Sequence, residues 1–65
     1  MKILLADIMY ERSLTVRQVS IMTGVPKSTI HNIMLGKTSP TLDTLAKISD
    51  GLNVPVNDLF EHNLS

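Results

Sequence analysis

The sequence predicts an all-α fold, a single compact domain of five short helices over residues 1–65. Three observations carry this. The chain has 65 residues, 43% apolar but only 3% aromatic. A chain this short buries about 60% of its unfolded surface, which suits one aliphatic core closed by short helices. Apolar residues then recur three and four apart, the spacing of one buried helix face. Finally, Gly24, Gly36 and Asn53 stand where those runs stop, and Pro26, Pro40 and Pro55 come soon after. No internal repeat, low-complexity segment or linker is evident.

The first helix is expected over residues 2–12, with Leu5, Ile8 and Met9 inward and Asp7, Glu11 and Arg12 outward. Ser13 breaks it. The second begins at Thr15, because Thr15 and Gln18 have the spacing of a capping box and Leu14 and Val19 that of a hydrophobic staple. Gly24 ends it in a left-handed turn that a residue without Cβ adopts freely. Val25 then enters the core and Pro26 opens the third helix, 26–35, where its missing N–H costs nothing. Gly36 ends that helix in the same way. After the loop 37–40, Thr41 caps the fourth helix with Asp43 in its first turn. Leu42, Leu45, Ile48 and Leu52 form its inner stripe. Asn53 makes the next turn, and Pro55 starts a short fifth helix containing Val56, Leu59 and Phe60.

Composition limits the chemistry. Without cysteine there are no disulfides, thiolate chemistry or thiolate zinc sites. His31 and His62 lie far apart in sequence without a carboxylate at ligand spacing, so no metal is expected. No cofactor, small-molecule substrate or catalytic constellation is visible, and an enzyme is not expected. The apolar start MKILLADIM is short and broken by Asp7, unlike a signal peptide or a membrane span, which points to the cytoplasm.

Formal net charge is zero, yet the charges are segregated. From Arg12 to Leu42 the ionised residues are Arg12, Arg17, Lys27 and Lys37, and every acid lies outside that window. Within it, residues 15–34 read as two short helices joined at Gly24. On the second, Ile30, Ile33 and Met34 share one face, and Lys27, Ser28, His31 and Asn32 share the other. That polar set suits the edges of a DNA duplex.

These residues resemble the Cro/C1-type (XRE) helix-turn-helix domains of phage and bacterial repressors, with their lambda-repressor-like fold. The resemblance covers nearly the whole chain. It rests on the joint spacing of Ser20, Gly24, Val25, Ile30, Ile33, Gly36-Lys37, Pro40 and the tail LNVPVNDLF. It implies that the third helix enters the major groove of double-stranded DNA. The base-reading positions fall on Lys27, Ser28 and Asn32, with His31 and Thr29 beside them. Thr15 and Arg17, with the amides opening the second helix, are implied for one phosphate, and Lys37, Thr38 and Ser39 for another.

The chain departs from the family pattern in three places. Val16 replaces a Gln that often holds a phosphate. Met9 and Met34 stand where the family often pairs Arg with Glu, an exchange read here as core packing. Ile21 and Met22 occupy positions that are generally polar, as an apolar patch of the kind that marks an interface.

The expected function is sequence-specific DNA binding by a transcriptional regulator of the repressor type. The competing reading is a protein-interaction module on the same fold, such as an antitoxin or anti-repressor. A homodimer would use the fifth helix and the turn before it, through Val54 and Phe60, or the Ile21/Met22 patch.

Overall fold

The computed structural model describes residues 2–61. Among these residues there are four α-helices: α1 (Leu5–Glu11), α2 (Val16–Thr23), α3 (Lys27–Met34) and α4 (Leu42–Leu52). A single 3-10 turn comes next, at Val56–Asp58. The two ends meet in an antiparallel ribbon, in which β1 (Lys2–Ile3) pairs with β2 (Phe60–Glu61).

The ribbon corrects the five-helix expectation at both ends. Residues 2–3 are extended, and the Leu4 N–H donates to the Leu59 carbonyl at 2.8 Å. The expected fifth helix closes only the bonds from Asp58 N–H to Pro55 O and from Leu59 N–H to Val56 O, both 2.9 Å. The physical reason is helix nucleation. One isolated turn fixes several dihedrals for very few bonds, whereas pairing with the opposite terminus satisfies those backbone groups at once.

The helix ends obey their local chemistry. Thr15 Oγ1 accepts from the Gln18 N–H at 3.1 Å and the Thr15 N–H donates to Gln18 Oε1 at 2.8 Å, a complete capping box. Thr41 caps α4 through the Thr44 N–H at 3.1 Å. Gly24 and Gly36 have φ of 76° and 72°. Pro26 stands just ahead of α3 as its N-cap, one position earlier than expected.

The core is aliphatic. Leu5, Val19, Ile30, Ile48, Leu52 and Leu59 are its largest enclosed side chains, and each contributes roughly 1.5–3 kcal/mol on burial. Met9 is buried and Met34 packs against the same cluster, so the Met pair does act as core packing. Leu42 does not belong to the α4 stripe; it is 83% exposed. At about 100° per residue it lies roughly 90° around the helix from the centre of Leu45, Ile48 and Leu52.

Gly51 lets α4 cross α2 at backbone contact. A Cβ there would lie on the Met22 carbonyl oxygen and 2.6 Å from Thr23 Cα. This close approach fixes the height of α2, and with it the turn into α3.

Candidate nucleic-acid interface

The turn between α2 and α3 is held by three side-chain bonds. Ser20 Oγ donates to the Val25 carbonyl at 2.7 Å. Thr23 Oγ1 donates to the Val19 carbonyl at 2.7 Å and accepts from the Val25 N–H at 3.2 Å. Val25 is pinned as a result and is buried. In the sequence Ser20 reads as a small residue in mid-helix; in the fold its hydroxyl is what matters. Thr23 has no place in the sequence pattern above, though a threonine beside a turn glycine is a readable signal for such bonding.

With Val25 fixed, α3 places Ile30 and Ile33 in the core. Lys27, Ser28 and His31 are exposed on the opposite side, and Thr29 and Asn32 lie half-buried at its edges. All five candidate base-reading residues therefore sit on one short helix, three presented outright and two flanking. The first turn of α3 contains no acid. A helix N-terminus carries partial positive charge, and Lys27 adds to it.

Thr15 and Arg17 are exposed at the start of α2. The capping box closes the amides of Thr15 and Gln18. Among the described residues no hydrogen bond closes those of Val16 and Arg17, which leaves two donors at a positive helix end, an arrangement suited to an anion. Val16 itself packs against the core, so its side chain offers no phosphate contact.

Beyond α3, the Gly36 N–H donates to the Ile33 carbonyl at 3.1 Å and the Lys37 N–H to the Asn32 carbonyl at 2.9 Å. These two bonds tie the start of the 37–39 loop to the helix. Lys37, Thr38 and Ser39 are all exposed.

The candidate interface residues divide. Ile21 is 75% exposed and Met22 46%, so the apolar patch on α2 exists. Val54 is 6% exposed and belongs to the core, which removes it from any surface. Its burial results from the turn at Asn53, which directs it inward just as Gly24 does Val25. Phe60 is half-buried in β2 rather than on a helix. His62 lies outside the described residues. Among those residues no cluster of metal-ligating side chains occurs, and no helix is long and apolar enough to cross a membrane.

Two short helices joined at a left-handed glycine, the second with its polar face outward, define a helix-turn-helix domain. The helix-turn-helix family model matches residues 5–59, and the chain belongs to this family, of the Cro/C1 (XRE) type. Domains of the family bind DNA, and the family is one of transcription regulators. No curated protein and no solved structure matches the chain.

Proposed function

We propose that this protein binds double-stranded DNA sequence-specifically and represses transcription by occupying an operator, with α3 in the major groove. The observation that carries this is the division of α3: Ile30 and Ile33 enclosed, with Lys27, Ser28 and His31 exposed in an acid-free stretch. Lys27 can donate to guanine O6 and N7, Asn32 can pair with adenine in bidentate fashion, and Ser28 can serve either. Each good base contact is worth about 1–3 kcal/mol of discrimination. Thr15 and Arg17 hold one phosphate, and Lys37, Thr38 and Ser39 another. Domains of this kind bind as two-fold dimers to half-sites about 34 Å apart.

An amide NMR titration with a short random-sequence duplex at about 50 mM salt tests this, since backbone contacts persist there. Joint shifts over residues 15–17, 27–32 and 37–39 are expected; amides that stay still would sink the DNA reading. With so few cations on this face, the log–log salt slope is expected to be shallower than about −6.

A second reading, a protein-interaction module, rests on the exposure of Ile21 at 75%. It would be favoured if the interface amides ignore DNA.

A further inference from the structure

The end of α3, the loop that follows it and β1 line a surface recess of about 340 Å³, with Lys2, Ile33, Met34, Thr38 and Ser39 among its walls. Lys2 and Ser39 are far apart in the chain, and only the ribbon brings them to one place. We propose that Lys2 is a further phosphate-contacting residue, completing with Lys37, Thr38 and Ser39 a single backbone clamp at this end of the groove. The proposal rests on the DNA reading above and names a residue that nothing in the sequence pattern pointed to.

The backbone holds Lys2 in place. Its neighbour Ile3 packs against the core, the Leu4 N–H donates to Leu59 O at 2.8 Å, and Ile3 and Phe60 stand opposite each other in the ribbon. Lys2 is exposed, so its ammonium is available without disturbing the fold. The loop on the other side of the recess is fixed too, by the bond from the Lys37 N–H to Asn32 O at 2.9 Å. Thr38 and Ser39 offer neutral hydroxyls, which orient a phosphate but do not neutralise it. Lys2 in the wall of the recess and the exposed Lys37 next to Thr38 in the chain supply the missing charge.

The ribbon also attaches a brake. Glu61 is the cross-strand partner of Lys2, and side chains opposite each other in an antiparallel pair emerge on the same face. Its carboxylate therefore opposes a phosphate at this position.

The test is fluorescence anisotropy with a labelled random-sequence duplex from 50 to 200 mM NaCl, using the intact chain. Lys2→Gln and Lys37→Gln should each flatten the log–log salt slope by about 0.9 and weaken binding on the order of ten-fold at 50 mM. Lys2→Arg should restore the wild-type slope, and Glu61→Gln should tighten binding. Lys47→Gln removes an exposed cation paired to Asp43 at 3.4 Å, and should change nothing. If Lys37→Gln flattens the slope and Lys2→Gln does not, the inference fails while the DNA reading stands. If Lys2→Gln and Lys47→Gln act equally, the effect is one of net charge and the inference also fails. If the wild-type chain shows no salt-dependent binding, the DNA reading itself falls.

Discussion

Two helix exits in this molecule start from the same local design and lead to different places. The chain leaves α2 through Ser20, Gly24, Val25 and Pro26, and α4 through Ser49, Asn53, Val54 and Pro55. Each serine hydroxyl donates to the carbonyl of the valine five residues on, at 2.7 and 2.5 Å. Gly24 and Asn53 are both left-handed, and the two prolines share one backbone geometry, −57°/144° and −56°/143°. Four residues past each proline stands an enclosed aliphatic, Ile30 in one case and Leu59 in the other. This short recurrence escapes a reading that looks for whole-element repeats.

The segments beyond the two prolines differ. After Pro26 the apolar spacing continues through Ile33 and Met34, and a full helix forms. After Pro55 the Leu59 carbonyl accepts from the Leu4 N–H, and Phe60 pairs with Ile3 instead. The charges differ too. Asp58 stands in the first turn after Pro55, as Asp7 does in α1 and Asp43 in α4. The first turns of α2 and α3 hold no acid, and contain Arg17 and Lys27. A carboxylate at a helix start is favourable by about 0.3–1 kcal/mol and a cation is not. The two helices of the DNA-binding unit thus forgo a stabilisation used at the other helix starts, which is where a local rule is expected to yield to function.

The strongest way to break the contrast is to give α3 the charge of its counterpart. Lys27→Glu should leave the domain as stable as before or more so, by up to about 1 kcal/mol. It should nevertheless weaken duplex binding ten- to hundred-fold or more, because a contact worth about 1–3 kcal/mol becomes a repulsion. Thermal melts and anisotropy on the same variant check both halves. A variant that binds normally would remove Lys27 from the interface.

The two exits also touch. Gly51, in the second, lies against Met22 and Thr23 of the first. Gly51→Ala would drive a methyl into backbone that has no rotamer to yield, and should cost about 1–3 kcal/mol in urea denaturation. Helix propensity alone would make the same change stabilising by about 1 kcal/mol, so the sign of the result decides between the two. Gly51 is a weak point in a helix by propensity, and close packing is the reading its position suggests; the crossing of α2 and α4 supplies that packing.

That pattern holds generally here. Features set by a few adjacent residues were legible: the Thr15–Gln18 capping box, the stops at Gly24, Gly36 and Asn53, and the polar face of α3. Features set by distant partners were not. The ribbon joins Lys2 to Glu61, and neither end carries a signal for the other. Val54 reads as part of an exposed turn until Asn53 is seen to turn it inward. The candidate DNA face was legible because it lies on consecutive residues of one unit. Lys2 escaped because it reaches that face only through the ribbon.

The smallest effect sharpens the comparison most finely, at the left-handed residues themselves. Asn53, at φ 55° and ψ 46°, lies close to the left-handed minimum near 57° and 47° that a side chain can occupy. Its exit closes with both bonds of a Schellman motif, from Asn53 N–H to Asp50 O and from Val54 N–H to Ser49 O. Gly24, at 76° and 8°, lies further from that minimum, and at its exit the Val25 N–H turns to Thr23 Oγ1. No neighbour lies within 4 Å of a Cβ built there, so sterics with the rest of the protein are not the issue. Exchanging the residues should therefore be asymmetric. Gly24→Asn is expected to cost about 1 kcal/mol through backbone strain, while Asn53→Gly should change stability by only a few tenths, strain relief being offset by the freer unfolded chain. Denaturation of the two variants checks this. Equal and opposite changes would mean that the two exits are energetically alike.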